Sequence, residues 1–144
     1  MEINKERKEN RKHFTQMNEQ ELKVVKNKIN SSVNGNVNSV NIVPHAFDNL
    51  FKRLRKGRDI NTYKVMLAQT LIDFTPIEFK RIYNGVNLVE ERSVLRGTRL
   101  VNGESIVLVY SITHRTIITV WINSLGDMHN TLDMNLYDSE MLIY

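Results

Sequence analysis

The sequence predicts an α+β domain in which N-terminal helices pack on a C-terminal antiparallel β-meander. Two observations lead there. Between residues 18 and 83 the apolar side chains recur at helical spacing, and from residue 87 onward the period shortens to two, with an Asn-Gly turn dipeptide between β-rich runs. Helical segments followed by a run of strands mark α+β, whereas α/β folds alternate the two. At 144 residues, 41 % hydrophobic and 25 % charged, the chain matches an ordinary globular protein with one principal core.

Residues 2 to 30 carry few apolar anchors: Ile3, Phe14, Leu22, Val25 and Ile29. The last three keep helical spacing and predict a helix over 18 to 30, preceded by a frayed or separate basic helix. The uncharged stretch NSSVNGNVNSVN contains Asn34-Gly35 and reads as a linker or an exposed hairpin. Residues 1–41 are therefore expected to form a helical N-terminal appendage with an Asn/Ser-rich linker, and residues 42–144 the domain proper.

From Pro44 a helix is expected, because proline suits the first helical position. Phe47, Leu50, Phe51 and Leu54 supply its buried stripe and Gly57 ends it. At 100° per residue His45, Asn49, Lys52 and Lys56 fall together on the other side, with Arg53 at the edge. Asn61 should cap a second helix over 62 to 72 that turns Val65, Met66, Leu67, Leu71 and Ile72 inward. Thr75-Pro76 should open a short third helix, stopped near Tyr83 by Asn84-Gly85. Three antiparallel strands follow, NLVEERSVLRGTRL, ESIVLVYSI and TIITVWINS, the first two joined through Asn102-Gly103. The second and third are apolar on both sides, which predicts central strands.

Net charge is +4 and unevenly spread: residues 1 to 100 hold 19 Lys/Arg against 11 Asp/Glu, and residues 101 to 144 hold one against five. A basic segment of this kind suits a polyanion, most simply nucleic acid, or is a solvated surface. The absence of cysteine excludes disulfides, Cys-ligated zinc and thiol nucleophiles. No apolar run reaches the roughly 20 residues of a membrane span, and the first residues lack a secretory signal, so a cytoplasmic protein with no membrane partner is expected.

On the first strand Arg92, Val94, Arg96 and Thr98 share one face. Two arginines there must lie at a surface or line a phosphate site. On the third strand Thr119 and Asn123 are the polar members of the face that also carries Ile117 and Trp121; a threonine alone requires no more than β-propensity. Asp127, His129 and Asp133 could hold a divalent ion, but no second His-rich segment supports them and no metal or other cofactor is expected. His114 reads as an exposed turn residue. His45 is either the start of a solvated helix or the head of a cationic stripe.

The order of "PHA" with its basic follow-on, "RSVLRGTRL", "SIVLVYSI", "TIITVWIN" and "DMHNTLD" before a tyrosine resembles the small bacterial and phage proteins of the barnase, colicin and RelE-like ribonuclease superfamily, over residues 43 to 137. That resemblance implies a toxin-like or translation-regulating endoribonuclease that acts on RNA without metal, restrained by an immunity or antitoxin protein. It also implies His45, Arg96 (or its neighbour Arg92), Thr119 and His129 as catalytic candidates. Lys52, Arg53, Arg55, Lys56, Arg92 and Arg99 are the nucleic-acid-binding candidates. Such cleavage needs a base for the 2′-OH proton, an acid for the leaving 5′-oxygen and a cation for the charged phosphorane, all within reach of histidine and arginine. The competing expectation is a non-enzymatic binding protein that uses a basic face for nucleic acid or a host protein. A purely structural protein is the third.

Overall fold

The computed structural model describes residues 7–36, 39–46, 48, 60–99, 105–123 and 137–144. In chain order these form β1 (Arg7–His13), a 3-10 turn (Phe14–Gln16), α1 (Glu19–Val33), β2 (Asn41–Ile42), α2 (Ile60–Ile72), β3 (Thr75–Asn84), β4 (Asn87–Arg99), β5 (Ser105–Ser111) and β6 (Thr116–Asn123). The strands make one six-stranded sheet in the order β1-β3-β4-β5-β6-β2. All neighbours are antiparallel except β2, which runs parallel to β6.

α1 starts with a capping box. Asn18 Oδ1 accepts from Glu21 N at 2.8 Å while Glu21 Oε1 accepts from Asn18 N at 3.3 Å, so two otherwise unpaired donors are satisfied. The helix ends where Asn34 and Gly35 take positive φ, at 54° and 69°. It therefore takes in the first residues of the stretch expected to be a linker. Ser32 explains why: its hydroxyl donates to Ile112 O at 2.7 Å and lies 2.8 Å from Tyr110 Oη, tying the last turn to the sheet.

The antiparallel meander stands as expected from β4 to β6, although the Asn102-Gly103 turn lies outside the described residues. Three expectations are corrected. Residues 7 to 13 are an edge strand and no basic helix, because their charged side chains pair across the sheet with those of β3. Residues 75 to 83 are β3 and no third helix. Pro76 sits at the strand's start beside a bulge, a place where a missing N–H is tolerated, and Gly85-Val86 makes the β3–β4 turn with Gly85 at φ 62°. In α2, Leu67 and Leu71 are buried as expected, but Val65 and Ile72 are 60 % and 63 % exposed. Two residues are about 200° apart on a helix, so Val65 cannot face the core that Leu67 enters.

The expected boundary near residue 41 is also revised. Val25, Ile29, Val33 and Val40 share one apolar cluster with Leu67, Leu71, Phe79, Leu95, Leu108, Tyr110 and Ile117, so β1 and α1 belong to the same sheet and core as the later residues. The cluster occupies the helix-covered face of the sheet. Met141 and Ile143 enter it from the far end of the chain. Residues 137 to 144 lie along β1, where Asp138 N donates to Arg11 O at 2.7 Å and Lys12 Nζ donates to Met141 O at 2.8 Å. Among the described residues no helix is long and apolar enough to cross a membrane.

Candidate functional site

Alternation along the strands sends a second set of side chains to the opposite face. Phe79, Leu95, Leu108 and Tyr110 point to the helices, so Glu78, Lys80, Arg92, Val94, Arg96, Val107 and Val109 point away. On this face Arg11 of β1 is registered on Lys80 of β3, Lys80 on Arg92 of β4, and Arg92 on Ser111 of β5. Three cations thus stand side by side, roughly 5 Å from strand to strand.

Like charges directly opposite repel, and a neighbouring row of acids offsets this. Glu9 accepts from Arg11 at 2.9 Å and from Arg7 at 3.0 Å and lies 3.5 Å from Lys80. Those contacts, led by the Arg11 hydrogen bond, lower its carboxyl to about 2. Glu90 accepts from two of the three guanidinium nitrogens of Arg92, Nε at 2.6 Å and Nη2 at 3.0 Å. Burial pushes the Glu90 carboxyl up, but the hydrogen bonds from Arg92 and Ser111 outweigh it and leave it below the usual range.

On the other side of the cation row lies Glu78. It is 7 % exposed and helps to line a cleft of about 170 Å³ with Arg11, Lys80, Arg92, Val94 and Val109. Among the described residues its carboxyl has Arg11 Nη1 at 3.8 Å and one hydrogen bond, from Tyr137 Oη, which donates to Oε2 at 3.3 Å. Burial therefore wins: despite Arg11, Lys80, Tyr137 and His13, the Glu78 carboxyl is raised above its ordinary value. Tyr137 is pushed up to about 12 by burial and by the adjacent carboxylate, so it remains a proton donor at neutral pH.

His13 stands behind this pair, opposite Glu78 in the β1–β3 register and fully buried. Its Nδ1 accepts from Thr15 N at 3.3 Å and lies 2.7 Å from Thr15 Oγ1, while Nε2 is buried without a hydrogen-bond partner among the described residues. The ring meets Tyr137 edge to face at 5.2 Å.

Of the residues singled out from sequence, the sheet brings three to this face. Arg92 lines the cleft, Arg96 lies four residues further along β4 opposite Val107, and Thr119 of β6 is opposite the cleft residue Val109. His45 is exposed on a helical turn after β2, at the β6 edge of the sheet, whereas the cleft is lined from β1, β3, β4 and β5. His114 is exposed in the β5–β6 turn. Arg99 ends β4, opposite Ser105. His129, with Asp127 and Asp133, and Lys52, Arg53, Arg55 and Lys56 lie outside the described residues. No group of acidic and histidine side chains suited to a metal ion occurs among the described residues. Arg11, Glu78 and Lys80 were not singled out, and Tyr137 entered only as the tyrosine that follows DMHNTLD. The signal for Glu78 and Lys80 was the period-two run of TPIEFKRIYN, which the helical reading of Thr75-Pro76 concealed.

Comparison of the chain with protein-family models, with curated proteins and with solved structures finds no match.

Proposed function

We propose that this protein is a metal-independent endoribonuclease whose acid–base group is Glu78 and whose phosphate-holding cations are Arg11, Lys80 and Arg92. One observation carries the reading: a buried carboxyl of raised pKa forms the wall of a cleft in which three cations stand in register. A carboxyl shifted toward neutrality is a better proton carrier near working pH than an ordinary one. The arginine forks and the ammonium would hold the phosphate oxygens and stabilise the phosphorane. In the proposed reaction Glu78 accepts the 2′-OH proton, the 2′-oxygen bonds to phosphorus and the P–O5′ bond breaks. The 5′-oxygen takes a proton from solvent water. Arg96 and Thr119 would contact the chain beyond the scissile phosphate. An immunity or antitoxin protein that covers the cleft is the partner this activity calls for.

The test is incubation of purified protein with RNA in EDTA. Fragments ending in 2′,3′-cyclic phosphate, lost on Glu78→Gln, support the reading. Intact RNA with retarded gel mobility would overturn it in favour of a binding module, a reading favoured by the ion pairs that Arg11 and Arg92 already make with Glu9 and Glu90.

A further inference from the structure

We infer that Tyr137 is a positioning residue for Glu78, held against that carboxyl by the C-terminal strap and by the ring of His13. The inference rests on the reading of Glu78 as the acid–base group. Three sets of contacts carry it. Tyr137 Oη is the short hydrogen-bond donor to Glu78 Oε2, at 3.3 Å, and it engages one carboxylate oxygen only. Arg11 Nη1, 3.8 Å away, approaches the other oxygen, Oε1. The carboxyl is thereby steered between two strands, with Oε2 assigned to tyrosine and Oε1 turned toward the first cation of the row.

The strap that carries Tyr137 is fastened at several points immediately after it. Asp138 N donates to Arg11 O at 2.7 Å, Lys12 Nζ to Met141 O at 2.8 Å, Ile143 N to Glu21 Oε2 at 3.2 Å and Arg81 Nη1 to Leu142 O at 2.8 Å. The Arg81 guanidinium also lies over the Tyr144 ring, 5.2 Å from its centroid. These anchors lie on β1, α1 and β3, so Tyr137 reaches Glu78 from a segment tied to three elements. From behind, His13 fixes the ring plane by its edge-to-face contact, and its own orientation is set by Thr15. Among the described residues the titratable and charged groups around Glu78 are Arg11 and His13 from β1, Lys80 from β3, Arg92 from β4 across the cleft and Tyr137 from the strap.

The functional consequence follows from which form of Glu78 each neighbour favours. Tyr137 donates to the carboxylate and so stabilises the form that accepts the 2′-OH proton. Without that donor the carboxyl holds its proton to higher pH, and the fraction able to act as base falls at a given pH. Tyr137 itself contacts no reacting atom in this scheme.

The experiment compares wild type, Tyr137→Phe and Glu78→Gln as full-length proteins. Phenylalanine keeps the ring against His13, and a denaturation curve checks the fold. Carbon-detected NMR titration of the Glu78 side-chain carboxyl should give a higher midpoint in Tyr137→Phe. The acid limb of the kcat profile for RNA should move the same way, with kcat on that limb lowered roughly ten-fold, the scale of one hydrogen bond to a charged group, and KM unchanged. A Glu78 midpoint identical in wild type and folded Tyr137→Phe overturns the positioning role while leaving Glu78 as the acid–base group. Full cleavage by Glu78→Gln overturns the acid–base reading itself, and the positioning role with it.

Discussion

Glu21 on the helix side of the sheet and Glu78 on the cleft side are equally withdrawn from water, each 7 % exposed, and their carboxyls move in opposite directions. Burial pushes both up. At Glu21 the push is overcome: Lys12 Nζ donates to both oxygens, at 2.9 and 3.0 Å, and the backbone N–H groups of Asn18 and Ile143 donate at 3.3 and 3.2 Å, so its pKa falls below the ordinary value. At Glu78 one tyrosine at 3.3 Å and an arginine at 3.8 Å are too few, and its pKa rises. At equal surface exposure the two differ in their donors, and the Glu78 carboxyl lies in the more densely packed surroundings. A carboxylate held by four hydrogen bonds from three groups is a structural clamp, while one with a single short donor among the described residues is free to exchange a proton.

The largest effect that could break this comparison is on cleavage. Glu78→Gln should reduce the rate on RNA by about 10² to 10⁴, the usual scale for removal of an acid–base group, whereas removing the Glu21 charge should act through stability alone. Rates are to be compared per mole of folded protein. A Glu78→Gln enzyme with wild-type rates would make the two acids equivalent. Next in size is Lys12→Met, which would leave Glu21 charged and buried without its main partner and should cost about 3 to 5 kcal/mol of folding free energy. The buried Lys12 side chain, 5 % exposed, is screened little by solvent. Urea unfolding measures this, and a loss below about 1 kcal/mol, the level of a surface ion pair, would show that the backbone donors suffice.

How much of this was legible depended on whether the determinants were local. β5 and β6 were readable because their apolar residues and turn signals lie within the strands themselves, and with β4 placed, the shared face of Arg92 and Arg96 followed. β1 was not. RKENRKH has no apolar side chain, and it becomes a strand through partners some 70 residues away: Lys80 for Glu9, Glu78 for Arg11. β3 carried the right alternation, but Thr75-Pro76 is equally good as a helix start, and choosing the helix scattered Glu78 and Lys80 around a cylinder. The cation row needs β1 and β3 together, so it was hidden twice. His45 drew attention from its neighbours in sequence, while Glu78 is distinguished by neighbours in space.

The smallest expected effect is also the one that separates the two acids by sign. Glu21 and Glu9 have folded pKa values below their unfolded ones, Glu9 at about 2, so their contribution to stability is present above roughly pH 4.5 and is lost as the pH falls through the folded values. For Glu78, whose folded value is raised, the contribution is present below its unfolded pKa and is lost as the pH rises through the folded one. At neutral pH Glu78 is therefore a net cost to the fold, which the activity proposed for it would require. Glu78→Gln should then be more stable than wild type at pH 7, by about 1 kcal/mol or less, since the amide keeps an acceptor for Tyr137 and removes the buried charge. The gap should close on acidification toward pH 4, where wild-type Glu78 is itself protonated. Urea midpoints of the two proteins measured from pH 4 to pH 8 check this. A Glu78→Gln protein less stable than wild type at pH 7, with the deficit shrinking in acid, would mean that Arg11 and Tyr137 stabilise the charged form after all. Glu78 would then be a second clamp like Glu21.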